Sequence, residues 1–421
     1  MKAGLLVLRA TLAPGLLVAV LTAAAGAGQF EDAAAAYRRR DYATALRIIR
    51  PMARKGYAPA QFKLGLIYGN GNGVPQDYRE ALKWYRKAAE QGNAAAQRNL
   101  GVMFGEGLGV PQDYAQALKW FHRAAEQDDA AAQTNLGIMY DFGHGAAQDY
   151  VEALKWYRKA ADHGDAEARY NLGVIYERGD GVPQDYAQAL KWFRRAAEQN
   201  DAAAETNLGV MYDFGHGAAQ DYAEALKWYR KAADHGDAEA RYNLGVIYER
   251  GDGVLQNCVE AVKWYHLAAD QGYAAAQSNL GAMYDRGEGL PQSYREALKW
   301  YRMAADQGDA TAQYNLGFMY ASGHGMPQDY VTAHTWFDLS AARGDDDAAK
   351  NRDVIAQRMT PAQIAEAQKL AREWKPTFLS RYEADNENNA YMRRNDPGIL
   401  GIALMNQTTR PCPEVPPRVP N

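Results

Sequence analysis

The sequence predicts an all-α protein, a solenoid of helix-turn-helix repeats. Tryptophan recurs every 36 residues, at Trp84, Trp120, Trp156, Trp192, Trp228, Trp264, Trp300 and Trp336. The glycine of an Asn-Leu-Gly triplet, which is Lys-Leu-Gly in the first repeat, keeps the same spacing, from Gly65 to Gly317. A period of about 20 to 50 residues indicates stacked units that bury one continuous core. Because a solenoid grows by repetition, a length of 421 residues does not imply several globular domains.

Charge and cysteine content argue against a nucleic-acid-binding protein, a disulfide scaffold and a cysteine-based zinc site. The formal net charge is −4 and the pI is about 6.1, which gives no reason to expect a nucleic-acid or anionic-membrane partner. The two cysteines, Cys258 and Cys412, are too few for a disulfide scaffold or a cysteine-based zinc site. They could pair with each other only if the C-terminal segment folds back on the repeats.

Residues 1–28 have the pattern of a secretory signal peptide. Lys2 and Arg9 give a positive start, an apolar run follows at 16–21, and small residues at 23–28 offer cleavage sites. The alternative is a membrane anchor formed by residues 10–28, which carry no charge. No cysteine follows the apolar run, which argues against a lipoprotein anchor. We therefore expect a bacterial protein that is exported to the periplasm or secreted.

The repeats divide the rest of the chain. Residues 29–57 are predicted to form an N-terminal capping half-repeat, 346–375 to form C-terminal capping helices, and 376–421 to be mostly disordered. Between them lie eight repeats of 36 residues, each predicted to be two antiparallel helices: 58–93, 94–129, 130–165, 166–201, 202–237, 238–273, 274–309 and 310–345.

The second helix of each repeat carries start and stop signals. A capping box, in which the cap side chain and a Glu or Gln three residues later bind each other's backbone N–H, is predicted at each start except before Thr332. The cap residues are Asp77, Asp113, Asp149, Asp185, Asp221, Asn257, Ser293 and Asp329. A left-handed residue is predicted at each end, at Gly92, Asp128, Gly164, Asn200, Gly236, Gly272, Gly308 and Gly344. The Asn-Leu-Gly glycine costs about 1 kcal/mol inside a helix, so close approach of a neighbouring helix is expected there.

These motifs resemble the Sel1-like repeat, a relative of the tetratricopeptide repeat. The resemblance rests on Ala-x-Ala-Gln-x-x-Leu-Gly-x-x-Tyr followed by Ala-Leu-Lys-Trp-Tyr-x-x-Ala-Ala-x-x-Gly, repeated without a gap over 58–345. Residues 360–368 also look like the capping helix of exported bacterial members. The resemblance implies a right-handed α/α superhelix that serves as a scaffold for protein–protein contacts. A cysteine-rich branch of the family is associated with β-lactam binding, but this chain lacks its cysteine pairs.

Motifs that could carry chemistry have simpler interpretations. Asp-Phe-Gly at 141–143 and 213–215 lacks the other kinase motifs and is interpreted as loop sequence. His144 and His216 recur two repeats apart, too far for a shared metal, and His163 and His235 suit helix C-termini. No nucleophile elbow, zinc-protease or phosphate-loop pattern occurs. We therefore predict no catalytic, metal-binding or cofactor-binding residues, and no enzyme.

Partner binding is predicted where the repeats differ from one another. The first helices are expected to line the concave wall by analogy with the family, and Tyr and Arg are enriched at binding hot spots. The predicted partner-binding residues are Tyr170, Arg178, Tyr242, Arg250, Tyr314, Phe142, Phe214 and Arg286. The alternative is an uncommitted surface.

The function predicted from the sequence is a non-enzymatic adaptor that binds a peptide or partner protein on the concave face. The alternative functions are a cell-envelope ligand binder, a weak β-lactam-binding hydrolase as in the cysteine-rich branch, and a self-associating structural rod.

Overall fold

The computed structural model describes residues 28–377, which fold into helix hairpins. Residues 1–27 of the predicted signal peptide and 378–421 of the predicted disordered tail lie outside this part. The chain forms two compact units with a boundary between Asp165 and Ala166. We call residues 28–165 the N-terminal unit and residues 166–377 the C-terminal unit. The predicted all-α repeat fold is confirmed.

Each repeat is one hairpin of two helices of similar length. Helix α1 (28–38) and helix α2 (Tyr42–Arg54) precede the repeats. The first helices are α3 (Ala58–Asn70), α5 (Ala94–Glu106), α7 (Ala130–Phe142), α9 (Ala166–Arg178), α11 (Ala202–Phe214), α13 (Ala238–Arg250), α15 (Ala274–Arg286) and α17 (Ala310–Ser322). The second helices are α4 (Tyr78–Glu90), α6 (Tyr114–Ala125), α8 (Tyr150–Asp162), α10 (Tyr186–Ala197), α12 (Tyr222–Asp234), α14 (Cys258–Ala269), α16 (Tyr294–Asp306) and α18 (Tyr330–Ala341). Helices α19 (Asp346–Ala356) and α20 (Pro361–Glu373) follow.

Of the capping box predicted at the start of each second helix, only the first half is present, in which the cap side chain accepts from backbone N–H groups of the first turn. Asp77 accepts hydrogen bonds from the backbone N–H groups of Arg79 and Glu80. The prediction that the backbone N–H of Asp77 binds the side chain of Glu80 is wrong. This N–H donates instead to the carbonyl of Tyr68 at 2.9 Å, across the hairpin. Glu80 instead pairs with Lys83 at 2.9 Å. The cross-hairpin backbone bond recurs in all eight repeats, so it fixes the loop that joins the two helices.

Close packing accounts for the glycine inside each first helix. A Cβ atom built on Gly209 would lie 2.4 Å from the ring of Tyr229, and one built on Gly173 would lie 2.5 Å from the ring of Phe193. All eight glycines meet the aromatic ring of their own second helix in this way, at 2.4 to 2.7 Å. The predicted close approach is therefore confirmed, and the approaching group is an aromatic side chain.

The predicted left-handed helix ends are also confirmed. Backbone φ is between 88° and 95° at the six glycines that follow the second helices. It is 62° at both Asp128 and Asn200, the two non-glycine residues at this position.

The C-terminal helix α20 packs against α18 at the end of the C-terminal unit. Ala367 is fully buried, its carbonyl accepts a hydrogen bond from Thr335, and the ring of Trp374 lies 6.3 Å from that of Trp336. Leu370, on the same helix, is 40% exposed. In the part of the chain that is described, no helix is both long and apolar enough to cross a membrane.

Candidate interaction surface

The two tyrosines at the centre of the predicted binding wall are core residues. Tyr170 is 6% exposed and Tyr242 is 7% exposed. Their rings lie 5.7 Å from Phe193 and 5.8 Å from Tyr265, the aromatic residues of the adjoining second helices. The expectation that these tyrosines offer an open surface is therefore wrong. Their size serves the packing between helices.

The column of first-helix residues that contains Tyr170 and Tyr242 holds threonine in two other repeats, and this difference has a structural cause. Where the column holds threonine, as at Thr206, the hydroxyl donates to the cap residue of the next first helix, Asp237, at 3.0 Å. Thr134 binds Asp165 in the same way at 3.0 Å. Where the column holds tyrosine, as at Tyr170, the ring packs on the aromatic residue of the same repeat's second helix. Variation between repeats in this column therefore marks different ways of packing.

Phe142 and Phe214 belong to aromatic stacks that hold the loops. The imidazole of His216 lies 4.6 Å from the ring of Tyr186, in the preceding repeat, and 6.0 Å from that of Phe214. His144 lies 4.5 Å from Tyr114 and 5.9 Å from Phe142. Burial lowers the pKa of His144, which favours the neutral ring in this stack. Both phenylalanines are half-buried, and the two loop histidines have a structural role.

The other four predicted residues are more accessible to solvent. Arg178 and Arg286 are exposed at the last positions of α9 and α15, and Arg250 is half-buried at the end of α13. Tyr314 is half-buried, with its ring 5.8 Å from Phe337 and its hydroxyl accepting from Asn351 at 3.1 Å. Whether these residues bind a partner stays a prediction.

A column of carboxylates lies beside these arginines, and its residues are not among those predicted from the sequence. Four successive first helices of the C-terminal unit carry an acidic penultimate residue, namely Glu177, Asp213, Glu249 and Asp285. All four are half-buried. Burial raises the pKa of Glu177 to about 7 and that of Asp213 to about 6, and it also raises the pKa of Asp285. Aligning the repeats column by column would have revealed the 36-residue spacing of these acids.

Tyrosines of the second helices donate hydrogen bonds to two of these carboxylates. The hydroxyl of Tyr229 donates to Asp213 at 3.4 Å, and that of Tyr265 donates to Glu249 at 2.5 Å. The equivalent residue beside Glu177 is Phe193, which has no hydroxyl to donate. The hydrogen bond from Tyr229 lowers the pKa of Asp213 and so opposes part of the effect of burial, whereas Phe193 offers Glu177 no such bond. Glu177, Asp213 and Asp285 are partly desolvated acids, which an additional hydrogen-bond donor would stabilise.

Glu205, Lys231 and His235 form a second cluster of titratable groups. The residue at the equivalent position two repeats earlier explains why the cluster is there. Glu205 is fully buried, forms an ion pair of 2.9 Å with Lys231 and lies 2.9 Å from the Nδ1 atom of His235. The residue 72 positions earlier is Gln133, whose amide donates to the carbonyl of Ala125 at 3.1 Å. Glutamate has no N–H to donate, and the matching carbonyl, that of Ala197, accepts from Lys231 at 3.0 Å instead.

Glu205 therefore has a structural role in the packing between repeats. A glutamine and a glutamate occupy the same buried position, and polar groups of the same compact unit contact each of them. Among the described residues, no group of three or more His, Cys, Asp and Glu side chains could hold a metal ion.

Comparison with known proteins agrees with this geometry. The profile of the Sel1 repeat matches residues 58–93, 94–129, 130–165, 166–201, 202–237, 238–273, 274–309 and 310–345. None of the curated proteins compared with the chain matches it. A Sel1 repeat protein from Oxalobacter formigenes is 33% identical, over 72% of this chain and 88% of that one, with a TM-score of 0.57.

A second solved structure is that of c5321, a protective antigen present in uropathogenic Escherichia coli strains that displays a Sel1-like repeat fold. It is 32% identical, over 89% of this chain and 97% of that one, with a TM-score of 0.49. The repeat profile covers well over half of the chain, and the eight hairpins share their caps, glycines and aromatic packing. The chain therefore belongs to the Sel1 repeat family.

Proposed function

We propose that the protein is a non-enzymatic adaptor that binds a segment of a partner protein along the first helices of its C-terminal unit. Sel1 repeat folds generally serve as scaffolds for protein interactions, which makes a protein the expected partner. The observation that carries the proposal is the column of Glu177, Asp213, Glu249 and Asp285, one carboxylate on each of four successive first helices.

The energetics of these carboxylates favour a ligand that supplies hydrogen-bond donors. A carboxylate with a raised pKa has lost part of its solvation, and a charged donor at such a site forms a stronger bond than in water. An extended protein segment offers backbone N–H groups and lysine or arginine side chains at short intervals. First helices of neighbouring repeats lie about 10 Å apart, which about three extended residues span.

The arginines of the same helices provide a second type of contact. Arg178 and Arg286 are exposed, and their guanidinium groups can bind the carbonyl or carboxylate oxygens of the same segment. Donors and acceptors along one row suit a peptide backbone better than a small neutral ligand.

The carboxylate column is tested with peptides selected from a random library on the immobilised full-length protein. In the variant E177Q/D213N/E249Q we expect the selected peptides to bind at least about 10-fold more weakly, because three acceptors lose their charge. The matched control is E198Q/D234N/D270N, which removes the same charge from exposed positions at the ends of second helices.

Affinities measured by titration calorimetry distinguish the outcomes. Loss of binding in the first variant, with binding retained in the control and both proteins folded by circular dichroism, supports the proposal. Equal affinities in all three proteins, or an equal loss in both variants, would show that the selected peptides bind elsewhere or respond only to net charge.

Export is a further part of the proposal and rests on the signal-like pattern of residues 1–28. We expect the mature chain to lack these residues and to reside in the periplasm or outside the cell. N-terminal sequencing of the protein from fractionated source cells tests this, and an intact N-terminus in the cytoplasmic fraction would contradict it.

A further inference from the structure

The side chain of Asn243 is an unpartnered polar group beside the carboxylate column. Asn243 is 3% exposed, and its amide nitrogen is buried with no hydrogen-bond partner among the described residues. In the next repeat, the equivalent Asn279 donates to the hydroxyl of Tyr265 at 3.1 Å, and that hydroxyl donates to Glu249 of the column. Because the repeats are equivalent, Asn243 has the same position relative to Asp213. A buried donor without an acceptor is rare and costly, so it points to a ligand.

A ligand at this position must offer a donor and an acceptor together. Asp213 is half-buried and accepts a hydrogen bond from the hydroxyl of Tyr229 at 3.4 Å, which leaves its carboxylate able to accept others. The amide nitrogen of Asn243 needs an acceptor, such as a carbonyl oxygen. A lone cation satisfies only the carboxylate. A basic protein segment satisfies both groups, because main-chain carbonyls lie between its side chains.

Further carboxylates make the surroundings of the column negative. Burial raises the pKa of Asp213, and the charge of Asp252 adds to this effect. Burial also raises the pKa of Glu288, which is 4% exposed, and the charge of Glu249 adds to it. Arginines at the ends of the first helices act in the opposite direction without cancelling either rise. Lysine and arginine side chains are therefore the favoured donors of a partner.

The spacing of the column selects the conformation of the segment. The carboxylates occupy the penultimate position of successive first helices, which lie about 10 Å apart. Three residues cover about 10 Å in a β-strand and about 9 Å in a polyproline II helix. In a strand, side chains alternate between two faces, so every third residue points away from the one before it. In a polyproline II helix, which has three residues per turn, every third side chain points the same way.

We propose that the partner segment is a polyproline II helix with lysine or arginine at every third residue, bound along Glu177, Asp213, Glu249 and Asp285. Successive basic side chains donate to successive carboxylates, and a main-chain carbonyl accepts from Asn243. The carbonyls of a polyproline II helix have no internal hydrogen bonds, so one is available for this contact. This inference rests on the proposed function, which locates the partner on the column, and adds the sequence pattern and conformation of the partner.

Two fluorescein-labelled peptides and the purified full-length protein test the spacing by fluorescence anisotropy at low ionic strength. One peptide is Lys-Pro-Pro repeated four times. The other is Lys-Pro-Lys-Pro-Pro-Pro-Pro-Lys-Pro-Lys-Pro-Pro, which has the same composition and charge but only two lysines on one face. Proline holds both peptides in the polyproline II conformation. We expect the first peptide to bind at least about 10-fold more tightly, because each of its lysines meets a carboxylate.

Three variants locate the binding. E177Q/D213N/E249Q should bind both peptides equally weakly, and the control E198Q/D234N/D270N should keep the preference for the first. Asn243→Ala should bind the first peptide about 3-fold or more weakly, because the carbonyl contact is lost. Circular dichroism verifies that each variant is folded.

Several results would overturn the inference. Equal affinities of the wild type for the two peptides, or no binding of the first, would contradict the three-residue spacing. A preference that persists in E177Q/D213N/E249Q would show that the lysines bind elsewhere, and unchanged affinity in Asn243→Ala would contradict the carbonyl contact. The proposed function would still stand if library-selected peptides continued to depend on the carboxylates, so the two failures are distinguishable.

Discussion

Gly101→Ala is expected to destabilise the protein by about 1–3 kcal/mol, the usual cost of adding a methyl group to a filled core. Its Cβ atom would lie 2.6 Å from the ring of Phe121, which is 4% exposed and held inside its hairpin. Because the ring cannot leave without opening a cavity, the two helices must separate. The stabilising effect of alanine on a helix, about 1 kcal/mol, offsets only part of this cost.

Gly105→Ala is the matched control, one turn further along the same helix. A Cβ atom there would meet the Cβ of Ala117 at 3.8 Å, which is an ordinary contact. We expect this variant to be as stable as the wild type or more stable by up to about 1 kcal/mol. Urea denaturation followed by circular dichroism measures both. If Gly101→Ala matched the wild type in stability, the aromatic ring would not be the reason for the glycine.

Glu177→Gln is expected to stabilise the protein at pH 8 by about 1–3 kcal/mol. Burial raises the pKa of Glu177 in the folded state from 4.5 to about 7. A shift of this size corresponds to about 3 kcal/mol, and partial solvent access reduces it. Above pH 7 the carboxylate is ionised in both states, and the folded state bears the cost of desolvating it. Glutamine keeps the shape without the charge.

The sign of the pH dependence follows from the raised pKa. As the pH falls from 8 through 7, the folded state takes up a proton that the unfolded state binds only near pH 4.5, so the wild type gains stability from this group. The advantage of Glu177→Gln should therefore shrink and be nearly absent at pH 4.5. Thermal melts of both proteins between pH 4.5 and 8 measure the difference.

Glu198→Gln provides the control for this experiment. Glu198 is exposed at the end of α10, so its replacement removes the same charge without changing a buried group. Its difference from the wild type should stay within about 0.5 kcal/mol at every pH. A difference between Glu177→Gln and the wild type that is constant with pH would mean that Glu177 is not a desolvated acid.

Much of the fold could be predicted because each repeat carries the residues that start and end its own helices. The cap at Asp77 and the left-handed end at Gly92 depend on backbone chemistry within one helix, and both were predicted correctly. The reciprocal half of the capping box was not, since the competing carbonyl of Tyr68 lies on the other helix of the hairpin. A sequence pattern cannot rank a local acceptor against one that folding brings into reach.

The candidate site was harder to predict for the same reason. Tyr170 and Tyr242 differ from their counterparts in other repeats, and difference alone does not separate a binding residue from an alternative packing solution. The carboxylates at Glu177 and Asp213 resembled ordinary surface acids. Their raised pKa values depend on what covers them and on whether the facing ring carries a hydroxyl.

The sequence alone determined the repeat length, the helix ends, the glycine positions and the family, because these depend on residues spaced along one chain segment. Only the tertiary structure decided which varying side chains are buried and which remain available to a partner. Burial depends on the packing of neighbouring repeats, and residues with the same local sequence can receive different surroundings. Gln133 and Glu205 occupy nearly identical repeats, and only the contacts around them reveal that Lys231 replaces the missing amide donor.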